Sequence, residues 1–238
     1  MNSLIKYNLK SNRKLIARIT IIHLIFIILA FIGRNIITQS GLANSIFLGA
    51  LVFFVGLNIF YMIYSIQRDL YMNRAILTYS LPVKESKLVI AKIIEIGLMY
   101  LINLLALIIS FKILKLNLHP YIRYYFLLGL IWDLLCAGII NFIMQVKRFK
   151  LDASYILYVV GLIAVIFLFG YLICKYFSFV IVNGSIQKAG PMDYAFLYPF
   201  AIGKMDIYKN ITTLIYYILA LFLVIFVNQL NLRDNIDL

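Results

Sequence analysis

An acidic residue in the middle of an apolar run is the first position that asks for a chemical explanation. Asp133 lies in the run Tyr121–Gln145, where a carboxyl group at bilayer depth costs about 2.5–3.5 kcal/mol. Gly129, Asp133, Ala137 and Asn141 recur every four residues, with Gln145 beyond. Each four-residue step overshoots a full helical turn by about 40°, so Asp133, Ala137 and Asn141 share one face. Small and polar residues on one side mark a face buried against protein or water rather than lipid. Two roles fit: a lining residue of a translocation path or proton site, or an interhelical hydrogen bond that holds a bundle.

Other polar side chains inside apolar runs are His23, Asn58, Asn103 and Glu95. With Asp133 and Asn141, the first three complete a candidate translocation path. His23 and Asp133 both fall near mid-depth and are able to pair, although a packing histidine is the plainer reading. Glu95 follows Lys92 by three residues, and a local ion pair on one helix accounts for it. Cys136 and Cys174 sit in apolar runs as small packing residues and form no zinc or disulfide pattern.

Several chemistries have no residues to carry them. Gly203-Lys204 is followed by Met205 and lacks the upstream glycine of a phosphate loop, so no ATP site is legible. His23 and His119 are the two histidines, and no H-E-x-x-H or G-x-S-x-G occurs. The aspartates are too scattered for a paired-carboxylate site. Neither catalysis nor a bound metal is expected.

The elements that position these groups follow from composition. The 238 residues are 64% hydrophobic and 13% charged, with a net charge of +13 and a mean hydropathy of +0.99. One soluble core cannot bury that much apolar surface, whereas lipid can take it. The basic residues flank the apolar runs, where headgroups lie, which argues against a nucleic-acid surface. A spanning helix needs about 20 apolar residues, and six stretches qualify: Leu15–Gly33, Ser45–Ile66, Ile93–Leu114, Tyr121–Gln145, Ala153–Cys174 and Ile211–Leu230. Ala30-Phe31-Ile32-Gly33 offers no small-x-small cleavage site, so the first run reads as a retained helix. The expectation is one all-α integral membrane domain over residues 1–238. With the N-terminus inside, fourteen of the 22 Lys and Arg residues fall on the inner side, which favours both termini in the cytoplasm.

Three connections exceed simple turns. In residues 1–14, Leu4, Ile5, Asn8 and Leu9 adjoin on a helix and lysines take much of the rest, as in a basic amphipathic helix at the headgroup layer. A disordered basic tail is the alternative. In residues 67–92, Arg68 to Tyr79 is able to form a short helix with Met72, Ile76 and Tyr79 on one side. Leu81-Pro82 ends that helix and starts the next. Such a cytoplasmic elbow fits a groove on a soluble partner. Residues 175–210 are rich in aromatics, including Phe177, Phe179, Tyr194 and Phe196, and short helices at the outer leaflet suit them.

At the elbow, Leu77-Thr78-Tyr79-Ser80-Leu81-Pro82-Val83 followed by Leu88-Val89-Ile90-Ala91-Lys92 resembles the membrane subunits of type-two ABC exporters. In that family an amphipathic coupling helix after the second span precedes such a stretch. The resemblance covers most of the chain in outline and Asp69 to Lys92 by motif. It implies a permease in the cell membrane that pairs with a second permease subunit, identical or similar, and docks a separate ATPase. ATP and Mg2+ would belong to that partner, leaving no cofactor in this chain. Asp69, Met72, Asn73, Ile76, Tyr79, Leu81 and Pro82 would meet it. Small subunits of this kind resemble bacterial peptide or antibiotic exporters, so the implied substrate is an amphipathic peptide, antibiotic or lipid-like compound. The competing readings are a proton-coupled secondary transporter that uses Asp133 and a membrane scaffold or sensor that transports nothing.

Overall fold

Long apolar runs have one economical way to satisfy their backbone in lipid, which is to close every hydrogen bond within a helix. The computed structural model, which describes residues 2–33, 40–71, 83–113, 121–149, 153–182, 184–188 and 211–236, follows that rule. The helices are α1 (Asn2–Ser11), α2 (Arg13–Gly33), α3 (Ser40–Tyr71), α4 (Glu85–Ile113), α5 (Tyr121–Phe149), α6 (Ala153–Tyr176) and α7 (Ile211–Ile236). Among the described residues, three segments are long and apolar enough to cross a membrane: Glu85–Ser110 of α4, Gly129–Lys147 of α5 and Ile211–Arg233 of α7. Leu157–Ile173 of α6 is a shorter apolar helix. Leu157, Leu168, Leu219 and Phe222 are each at least 60% exposed. A patch of that kind is stable against lipid and unstable against water.

Two apolar cores meet at α5. Ile19 of α2, Tyr61, Met62 and Ile66 of α3, Ile96 and Met99 of α4, and Ala137 of α5 form the first. Leu135 and Ile139 of α5, Ile166 of α6, and Tyr217, Ala220 and Val224 of α7 form the second. α5 packs most closely on α7, because Gly138 lets the backbones approach. A Cβ there would stand 2.6 Å from a Val224 methyl carbon. Asn228 of α7 donates to the Gly138 carbonyl at 2.9 Å and accepts from Asn141 at 3.0 Å. Small residues with interhelical amides are how helices associate where no hydrophobic effect separates protein from lipid.

Two expectations are corrected. The second apolar helix does not end near Ile66 for a new helix to begin at Arg68. Instead α3 runs unbroken from Ser40 to Tyr71, so Asp69 belongs to its last turn. The N-terminal segment is the expected helix and not a disordered tail, and it buries Leu4 and Asn8 where α1 packs on α4. Outer-leaflet helices were expected after α6, yet the described part of that connection is a β-hairpin. Its strands β1 (Phe179–Val182) and β2 (Ser185–Lys188) pair antiparallel, with Val182 opposite Ser185. The physical reason is local: a β-branched run meets Asn183-Gly184, the turn signature of a two-residue hairpin. Gly184 has the positive φ, 81°, that such a turn needs. Thr212 ties the hairpin to α7, accepting from the Phe179 amide and donating to the Phe177 carbonyl, both at 2.9 Å.

Candidate functional site

Polar side chains recur along one face of α3 at Asn58, Tyr61, Ser65 and Asp69. The spacings of three and four residues keep them on one stripe. All four are buried. Lys92, Glu95 and Asn103 of α4 are buried as well. Two polar layers result.

The first layer lies where the start of α2, the end of α3 and the first turns of α4 converge. Glu95, fully buried, accepts on one carboxylate oxygen from Asn12 at 2.6 Å, Tyr61 at 2.7 Å and Ser65 at 2.8 Å. Its other oxygen takes Lys92 at 2.6 Å. The Lys92 ammonium also donates to Ser65 at 2.8 Å and is ion-paired with Asp69. Arg68 closes the outer side, donating to the Ser11 carbonyl and hydroxyl at 2.8 Å and to Asn12 at 2.9 Å. Two carboxylates, Asp69 and Glu95, thus share one cation, Lys92. A buried charge is tolerated when it is both paired and hydrogen-bonded. The layer works as a clasp across the α1–α2 turn, α3 and α4.

The second layer lies about two helical turns deeper, at Asn58, Asn103 and Asp133. Asn103 donates to the Asn58 carbonyl oxygen at 3.0 Å, and Asn58 donates to one Asp133 oxygen at 2.5 Å. α3, α4 and α5 therefore contribute one side chain each to a short chain of hydrogen bonds. Among the described residues, the second Asp133 oxygen and the Asn103 carbonyl oxygen have no partner. The arrangement offers acceptors and lacks donors.

The sequence-derived path residues separate into three groups. Asn58, Asn103 and Asp133 come together. His23 is buried but does not pair with Asp133. Its ring stacks on Phe54 with centroids 4.9 Å apart, and neither ring nitrogen has a hydrogen-bond partner among the described residues. Asn141 faces α7 through Asn228, with Gln145 accepting from Asn231 at 3.0 Å one turn on. The drift of about 40° per four residues rotates this face from α3 at Asp133 to α7 at Asn141.

Of the proposed docking residues, Asp69 is turned inward onto Lys92 and is 6% exposed. Met72, Asn73, Ile76, Tyr79, Leu81 and Pro82 lie outside the described residues. Sequence reasoning assigned Lys92 to a headgroup position and Glu95 to a local pair. It missed that both are the centre of a cluster drawn from three helices. The stripe of polar residues on α3 opposite Lys92 and Glu95 was the available signal. No group of three or more potential metal ligands converges among the described residues.

A small cavity of about 30 Å3 adjoins the clasp, bordered by Asn8, Asp69, Lys92, Asn141 and Gln145. Leu4, Leu70, Leu88, Val89 and Leu232 complete its walls, and it has room for one or two waters that the polar groups can hold. No family model matches this chain, and no curated protein or solved structure matches it either.

Proposed function

We propose that this chain is a membrane subunit of an ATP-driven exporter. In this reading six helices span the membrane, both termini are cytoplasmic, a second permease subunit completes the path, and a separate ATPase binds the connection between α3 and α4. The observation that carries the proposal is the clasp at the root of that connection. Asp69 closes α3, Lys92 lies near the start of α4, and their ion pair joins the two helices that residues 72–82 link. A displacement of the connection therefore pulls on α3 and α4 together, and through Asn12 on the turn that leads into α2. A packed, charge-paired joint passes on a rigid-body movement as one of two discrete arrangements. Lys92 is also the lysine that ends the motif from which the family resemblance was drawn.

The test uses the full chain purified gently with whatever ATPase accompanies it. Charge reversal or proline insertion around Met72 and Ile76 is expected to leave insertion and complex purification intact. ATP hydrolysis then continues while transport is lost. Normal transport by those variants would refute the docking role, and absence of any accompanying ATPase would count against the whole reading.

One observation favours a second reading. The unpartnered Asp133 oxygen is the kind of group a proton-coupled transporter uses. Transport that follows a pH gradient without ATP and disappears in Asp133→Asn would select it.

A further inference from the structure

We propose that Lys14 and Arg18 hold the phosphate headgroup of an anionic phospholipid whose acyl chain runs along the apolar stripe Ile21, Ile25, Ile28 and Ile32 of α2. The inference rests on α2 being a span, as proposed above, and is independent of any ATPase.

The geometry comes from a single helix face. Steps of four, three, four, three and four residues keep these six side chains within about 40° of one line down α2. Both cations are exposed, and the four isoleucines are 52–58% exposed. From Ile21 to Ile32 the helix rises about 16 Å, roughly half of a ~30 Å hydrocarbon core. That is the depth of one acyl chain in one leaflet. The basic pair therefore stands at headgroup level directly above a stripe that faces hydrocarbon.

Charge selects the headgroup. Residues 1–68 contain no aspartate or glutamate, so neither cation has an acidic neighbour in its own segment. The ion pairs found among the described residues use Lys92 with Asp69 and Glu95 instead. Lys10 and Arg13 are exposed close by and add to the field. A soluble acidic partner would use the charges but has no use for an apolar stripe of this length. A zwitterionic lipid uses the stripe but brings a compensating cation. An anionic phospholipid matches both.

The position also gives the lipid something to stabilise. Lys14 is two residues from Asn12, whose side chain bonds Glu95 and Arg68. Holding the first turns of α2 restrains that corner of the clasp.

The experiment uses the full chain in nanodiscs of phosphatidylcholine containing a minority of phosphatidylglycerol, with retained lipid counted by native mass spectrometry. The expected preference for phosphatidylglycerol is on the order of tenfold. It falls to near unity in the double variant Lys14→Gln/Arg18→Gln and survives in Lys147→Gln, an exposed lysine on another helix. The double variant keeps its melting temperature in pure phosphatidylcholine, which separates lipid binding from folding. A preference that is absent in the unaltered chain, or that persists in the double variant, overturns the proposal. Inorganic phosphate should not compete; if it does, the acyl stripe plays no part and the proposal fails. An Ile25→Cys variant isolates the underlying assumption. Labelling by a membrane-impermeant maleimide there would defeat the span reading itself, whereas protection with no lipid preference defeats the lipid site alone.

Discussion

The clasp and the mid-bundle chain share the same helices, yet they solve the problem of buried polarity in opposite ways. Around Glu95 every acceptor has a donor: three neutral side chains on one oxygen and the Lys92 ammonium on the other. Around Asp133 there is, among the described residues, a single donor, Asn58, and acceptors are left over at both ends of the hydrogen-bonded chain. A saturated carboxylate such as Glu95 specifies one packing and resists rearrangement, whereas an acceptor-rich layer leaves a place for something else to bind. The comparison predicts that the clasp carries stability and the deeper layer carries the capacity to change.

The largest effect should come from breaking the clasp. Lys92→Met removes the shared cation and leaves Asp69 and Glu95 buried together. Uncompensated buried charge of this kind costs about 3–5 kcal/mol, read as a lower melting temperature in nanodiscs. The double variant Lys92→Met/Glu95→Gln should recover part of that loss, because the second change removes one of the stranded charges. Additive losses in that cycle would show that the two residues do not act as a unit. A packing change calibrates the scale without any charge. Gly138→Ala puts a methyl group against Val224 at the close crossing of α5 and α7, and overpacking there should cost about 1–3 kcal/mol. A loss as large as that of Lys92→Met would mean that helix packing, not the clasp, dominates stability.

The difference between the layers also explains what the sequence reveals and what it conceals. Helices were legible because apolar runs of spanning length admit few other solutions. The bounds of α5 and α6 follow the sequence reading within a few residues. The polar face of α5 was legible as well, since its four-residue period depends on one helix alone. The local Lys92–Glu95 pair was legible from its three-residue spacing, but the other partners were not, because those bonds of the clasp join residues from different runs. Asn12 lies 83 positions from Glu95, and Asn58 lies 75 from Asp133. The charged pair Arg68-Asp69 looked like the exit from a membrane because charge usually marks that boundary. The folded chain instead uses Asp69 as the counter-charge of a lysine on the next helix. The hairpin after α6 was concealed by the aromatic residues of the long connection 175–210 around it, which suit either an interfacial helix or a strand. The Asn183-Gly184 pair was the local signal that decided between them.

The smallest expected effect on stability is the one that most sharpens the contrast. Asp133→Asn keeps the shape of the side chain and the acceptor for Asn58. It replaces an oxygen that has no partner with an amide that supplies donors to an acceptor-rich layer. Burying a neutral amide is less costly than burying a carboxylate, so the melting temperature should stay the same or rise, with a change within about 1 kcal/mol. In transport assays the same variant separates the roles left open for the deeper layer. If Asp133 does no more than hold the bundle together, the export proposed above continues at its normal rate, because Asn58 still has its bond. If the unfilled acceptors are where a moving group passes, export falls while stability holds. A large loss of stability in Asp133→Asn would contradict the comparison at its root, since it would make the deeper layer as structural as the clasp.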